Sequence, residues 1–160
     1  MLFLLTSVAL AGKLSEDFRG LEYGVRDLPT APLAGCEKGV EKGVGWSCPT
    51  TLAGVSVIAD YFHQYGVFFA VSFHGVISPG DAQLILAALE GSWGPPAAPK
   101  NASTGDVLAT WMWLDGEGSA SFRWEPVQGA FRVHIQRNDL YQEMLERQKT
   151  IAIEASKGDL

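Results

Sequence analysis

Apolar and polar positions change period several times along this chain, and the changes mark its elements. Val55, Val57, Ala59 and Tyr61 alternate with Ser56, Ile58 and Asp60. Gln64-Tyr65-Gly66 interrupts the run, after which Phe69, Val71 and Phe73 alternate with Ala70, Ser72 and His74. Period two on both sides of a glycine-containing turn predicts a β-hairpin. A helix start follows: Ser78 as N-cap, Pro79 in the first helical position and Asp81 three residues after the cap. Leu84, Ile85, Ala88 and Leu89 share one face of that helix, and Gly91 is its expected stop.

Pro95, Pro96 and Pro99 make 92–106 read as a loop. It contains the glycosylation sequon Asn101-Ala102-Ser103. Alternation resumes at Val107, Ala109, Trp111 and Trp113, turns at Asp115-Gly116-Glu117-Gly118, and returns through Ala120, Phe122 and Trp124 to Pro126. Phe131, Val133 and Ile135 form the last alternating run. Asn138 caps a closing helix with Leu140, Tyr141, Met144, Leu145 and Gln148 down one side and a Glu143–Arg147 pair. The tail is expected to fray after Ile153.

The predicted order is β-β-α-β-β-β-α, with one further N-terminal strand available from Phe18, Leu21 and Tyr23. That order implies an α+β fold: an antiparallel sheet of about five strands with two helices packed on one face. Tyr61, Phe69, Phe73, Trp111, Trp113, Phe122, Trp124 and Phe131 are the expected core aromatics. Ahead of the hairpin stands a tandem, Glu37-Lys38-Gly39-Val40 and Glu41-Lys42-Gly43-Val44. Glycine every fourth residue disfavours a helix, so the tandem reads as a hairpin or loop.

A length of 160 residues suits one domain. The net charge is −6 and no Lys/Arg cluster is present, which argues against nucleic-acid binding. Residues 2–11, Leu-Phe-Leu-Leu-Thr-Ser-Val-Ala-Leu-Ala, are apolar but shorter than the ~20 residues of a membrane span. Their length suits a signal-peptide core, and Ala9-Leu10-Ala11 places small residues where a signal peptidase cuts. The expected organisation is a leader over 1–11 and a single domain over 12–160. No Lys or Arg precedes the apolar run, so the signal is minimal or the true start lies upstream; a buried N-terminal strand or helix is the competing reading.

Export would place the only two cysteines, Cys36 and Cys48, in an oxidising compartment, where they can pair as a disulfide. Free buried thiols and a metal site are the alternatives. With His63 and His74 the cysteines lack zinc-finger spacing, and neither belongs to a Cys-x-x-Cys pair. Leu33-Ala34-Gly35-Cys36 matches a lipobox but follows a segment rich in charge rather than an apolar lead.

The layout resembles that of small exported bacterial proteins of unknown function with a two-layer α/β sandwich. The resemblance is carried by Phe18-Arg19-Gly20 with Gly24, the Tyr61 to Phe73 hairpin, the helix ending near Trp93-Gly94, the Trp111/Trp113 strand and the short closing helix. It is also similar to two-layer modules of envelope-assembly lipoproteins and secreted enzyme inhibitors. It implies an exported location, periplasmic or extracellular, and no particular site residue.

Catalytic chemistry finds no support in the motifs. Gly-x-Ser-x-Gly is absent, and Ser56 lies in a strand pattern. The Gly39 to Gly45 stretch lacks the Gly-Lys-Ser/Thr ending of a phosphate loop. Asp60, Asp115 and Glu117 read as solvated or turn carboxylates. No catalytic, cofactor or metal residue is assigned and no cofactor is expected. The candidate binding surface is the sheet face expected opposite the helices. It would carry Ser72, His74, Thr110, Met112, Arg123, Arg132, His134 and Gln136, with His74, Arg123, Arg132 and His134 as the groups suited to an anion. The expectation is a non-enzymatic exported binding or structural domain, docking an anionic ligand or an envelope or extracellular protein, with no nucleic acid and no stable membrane span. A partner-directed inhibitor or envelope-assembly module, or a hydrolase with an unrecognised site, are the alternatives.

Overall fold

The computed structural model describes residues 17–18, 21–24, 34–39, 43–100, 109–114 and 117–157. The expected leader, the centre of the tandem at 40–42, the sequon and Asp115-Gly116 lie outside the described residues. Two short strands, β1 (Asp17–Phe18) and β2 (Leu21–Glu22), pair with each other. The main sheet begins with β3 (Glu37–Lys38), β4 (Val44–Leu52), β5 (Val55–Gln64) and β6 (Val67–Val76). Helix α1 (Pro79–Trp93) follows, then β7 (Ala97–Lys100), β8 (Ala109–Leu114), β9 (Gly118–Glu125), β10 (Ala130–Arg137) and helix α2 (Asn138–Lys157).

The eight strands are antiparallel neighbours in the order β3-β4-β5-β6-β10-β9-β8-β7. Each half is a four-strand meander followed by a helix, and the halves meet where β6 pairs with β10. The α+β class and the antiparallel sheet with two packed helices are those expected from the pattern. The sheet is wider than five strands because its outer members hide their signal. β4 contains Pro49 and β7 contains Pro99, residues that weaken a strand reading but are tolerated where a strand has one open side; β7 is the sheet's last strand, and Pro49 lies beyond the two β4 residues that β3 pairs with. β7 therefore occupies part of the segment read as a loop. At a sheet edge, proline also withholds a donor from passing strands.

The two helices divide between the faces of the sheet. Register places Cys48, Ala59, Val71, Phe73, Val133, Phe122 and Trp113 on one face, with Ala82, Ile85 and Leu89 of α1 in the same buried cluster. Met144 of α2 instead joins Val67, Phe69 and Ala70, with Phe62, Leu140, Tyr141 and Leu145 against them, on the opposite face. This corrects the expectation of both helices on one side. A bulge in β6 decides which residues meet each helix. Phe62 pairs with Ala70 but His63 pairs with Phe68, leaving Phe69 as an extra residue. The bulge turns Phe68 toward the α1 face, where it is fully buried and stacks on Tyr23 at 5.0 Å. Phe69 turns to the other face and meets Tyr141 at 5.6 Å. Strict alternation had placed Phe69 with Val71 and Phe73 instead. Burying an aromatic side chain contributes about 2–3 kcal/mol, and each face buries one of this pair.

Local chemistry explains the ends. Ser78 and Asp81 form a reciprocal capping box at the start of α1. The helix runs past Gly91 because Trp93 packs against Trp113 at 5.7 Å and Gly94, at φ 78°, takes the cap. Trp113 Nε1 also donates to the Gly94 carbonyl at 2.9 Å. The β5–β6 turn places both Tyr65 and Gly66 at positive φ, 50° and 75°, the geometry of a two-residue hairpin turn. α2 continues to Lys157, past the point where fraying was expected, supported by the Glu143–Arg147 and Glu146–Lys149 pairs.

Cys36 and Cys48 form a disulfide. They lie directly beyond the Glu37–Ser47 register pair of β3 and β4, with Cα atoms 4.1 Å apart, so the bond staples a hairpin already in register. The hairpin reading of the tandem holds on its described flanks. A disulfide belongs to an oxidising environment. Among the described residues, no helix is long and apolar enough to cross a membrane.

Candidate functional site

Among the described residues, the sheet face that carries α2 is covered at one end only. Leu140, Tyr141, Met144 and Leu145 pack over Phe62, Val67, Phe69 and Ala70 near the β5–β6 turn. Toward the opposite end, register sets two rows of side chains across the strands. The inner row runs Ser47, Asp60, Ser72, His134, Ser121 and Met112. The outer row runs Ile58, His74, Arg132, Arg123 and Thr110. All the residues assigned to the candidate surface by alternation therefore share this face, although it is not the helix-free side. Gln136 stands beside Ala70 in the row next to α2.

Asp60 is the organising residue of the inner row. It is 7% exposed, which overturns its reading as a solvated carboxylate. Ser47, its direct partner on β4, donates Oγ–H to Oδ1 at 2.6 Å. His74, its diagonal neighbour on β6, places Nε2 2.8 Å from Oδ2. An ionised carboxylate only accepts, so Nε2 carries the proton in this contact and Nδ1 is left for another group. Two charge-assisted contacts compensate the burial of Asp60. The arrangement is not a nucleophile–base–acid chain. In such a chain the imidazole lies between hydroxyl and carboxylate; here the carboxylate lies between Ser47 and His74, and the Ser47 proton is committed to Asp60.

Ser72, 1% exposed, sits between Asp60 and His134 in register, and its hydroxyl has no hydrogen-bond partner among the described residues. His134 is half-buried, 3.4 Å from the Gln136 side-chain oxygen and edge-on to Phe62 at 5.7 Å. Burial pushes its pKa below the ordinary imidazole value, Arg132 pushes the same way, and Gln136 partly opposes them. His134 is thus held toward its neutral form.

Arg123 and Arg132 differ from every residue so far described on the face. They are direct cross-strand partners, both exposed, and neither side chain makes an ion pair or hydrogen bond with a described residue. Like charges directly opposite on adjacent strands repel. Glu125, one row outward, forms no ion pair with either, and Asp60 is already engaged by Ser47 and His74. Of the four residues singled out from sequence, His74, Arg132 and Arg123 stand side by side; His134 lies one row inward, tucked toward α2. The residues that sequence reasoning missed are Asp60 and Ser47. Counting registers back from the Tyr65-Gly66 turn without the bulge pairs Asp60 with Val71 and conceals its diagonal to His74.

Among the described residues, no three His, Cys, Asp or Glu side chains converge as metal ligands. No protein-family model, curated protein or solved structure matches this chain. The α+β sandwich is thus shown without a relative that could supply a site.

Proposed function

We propose that this protein is an exported, non-enzymatic binding domain whose open sheet face takes an anionic ligand at Arg123 and Arg132. The observation that carries the reading is the facing pair of unpaired guanidiniums in a chain whose net charge is −6. A protein with an excess of carboxylates has ample means to neutralise two arginines, yet neither guanidinium has a partner among the described residues. Guanidinium forks match carboxylate and phosphate oxygens in bidentate geometry. His74, fixed by Asp60, adds a third polar group to the row. Rigid strands present all three, which limits the ordering cost of binding. The disulfide supports the extracytoplasmic part of the reading.

Pyrophosphate titration of isotope-labelled protein tests it. Amide shifts are expected to concentrate at His74, Arg123, Arg132 and their strand neighbours. The Arg123→Gln/Arg132→Gln double variant should lose them. Shifts confined to another surface, or unchanged in the double variant, would sink the reading.

A further inference from the structure

We infer that the occupant of this face is the phosphate headgroup layer of an anionic membrane, met by the end of the sheet that carries the β9–β10 turn. The inference rests on the anion-binding reading above and adds the identity of the surface bound. Its support is a second feature at the same end of the molecule. Val127 in that turn is 81% exposed and Val76 at the end of β6 is 80% exposed, the two most exposed large apolar side chains among the described residues. They belong to one patch. The Gly129 carbonyl accepts from the Ile77 N–H at 2.8 Å, and a Cβ added at Gly129 would lie 3.3 Å from Val76. Ile58, 36% exposed, borders the same region as the register partner of His74.

The order of chemistries along the strands suits an interface. Outermost is the turn with Val127; next is the row of Val76, Ala130 and Glu125; one row inward stand His74, Arg132 and Arg123. Neighbouring rows on one face of a sheet are two residues, about 7 Å, apart. Apolar side chains entering the headgroup–acyl boundary would therefore leave both guanidiniums at phosphate depth. A soluble anion would make no use of the valines. Glu125 shares the row of Val76 and Ala130 and stands one row outward of the guanidiniums. The ion-paired acidic groups Glu117, Asp139, Glu143 and Glu146 lie beside or on α2, at the other end of the face, so the negative charge they carry is turned away.

This geometry describes reversible, peripheral attachment. A basic residue near an anionic surface contributes about 1 kcal/mol, so removing both arginines should weaken vesicle binding about thirtyfold. The test is co-sedimentation of the purified disulfide-bonded protein with phosphatidylcholine vesicles, with and without phosphatidylglycerol. Parent and variants share every N-terminal residue, so differences between them report on this face alone. Binding should require phosphatidylglycerol, fall about thirtyfold in Arg123→Gln/Arg132→Gln, and fall several-fold in Val76→Ser/Val127→Ser. The valine variant should still show the pyrophosphate shifts. Both variants alter exposed side chains, and equal melting temperatures would confirm that they fold. Absence of vesicle binding alongside normal pyrophosphate shifts would overturn the membrane inference and leave the anion site standing. Unchanged vesicle binding in the arginine variant would also overturn it. Loss of both readouts in the parent protein would overturn both readings.

Discussion

Breaking the Cys36–Cys48 bond should cost this protein a substantial part of its stability, and the amount can be worked from its place in the fold. The bond closes a loop with a sequence separation of 12. The chain-entropy relation gives about 3 kcal/mol for a loop of that size. β3 consists of two residues and pairs with β4 at two positions, so little else holds it to the sheet. Cys48 is fully buried in the core below α1, so replacing both cysteines by alanine adds a small cavity term of about 1 kcal/mol. Urea unfolding separates the two contributions. With a slope of about 2 kcal/mol per molar, reduction alone should lower the midpoint by about 1.5 M, and Cys36→Ala/Cys48→Ala by about 2 M. Unchanged slopes would confirm that stability, rather than compactness, is being read. If complete reduction moved the midpoint by less than about 0.5 M, the loop-closure reasoning would fail, and the hairpin would have to be held by other contacts.

Two further predictions concern the turn and the half-buried imidazole. Tyr65 holds φ at 50°, a conformation that costs a non-glycine residue about 1 kcal/mol, and asparagine tolerates it better. Tyr65→Asn, which creates the preferred Asn-Gly turn, should raise the melting temperature by about 2–4 °C; a fall would show that the Tyr65 ring contributes more than the turn strains. Burial holds the His134 pKa low, so on acidification the unfolded chain takes up a proton that the native state resists. The stability due to neutral His134 is whole above the unfolded value near about pH 6.5 and is lost as pH falls toward the lower folded value. Urea midpoints measured at about pH 7.5 and about pH 5.5 should therefore diverge less in His134→Gln than in the parent. An equal loss in both proteins would show that other groups carry the acid sensitivity.

How much of the site was legible in the sequence follows from how sheets are built. Period-two alternation assigns residues to faces without knowing which strands are neighbours. It put His74, Arg123, Arg132 and His134 on one surface, as the register does, but assigned that surface to the side without helices, whereas α2 packs on it. It could not show that Arg123 faces Arg132, because that depends on the β9–β10 register. Nor could it distinguish the exposed Arg132 from His134, two residues away on the same strand and face but shielded beside Phe62. Asp60 was misjudged for a related reason. Its burial arises from β4 on one side and β6 on the other, and β4 was concealed by its proline and glycine.

By itself the sequence determined the local elements: the β5–β6 hairpin, the capped start of α1, the strands around Trp113 and Phe122, and the start of α2. These follow from interactions among residues close in the chain, such as the Ser78–Asp81 capping box. It also supplied the two cysteines that close one hairpin. Tertiary structure alone decided which face each helix covers, and a single extra residue in β6 exchanges the faces of Phe68 and Phe69, so that Phe68 joins the α1 side and Phe69 the α2 side. It alone joined the two meanders through β6 and β10, strands separated by α1 and three other strands. That long-range pairing brings His74 beside Arg132, and the adjoining β9–β10 register brings Arg132 beside Arg123. The side chains were written in sequence as isolated residues; only cross-strand neighbourhood makes them a charged row.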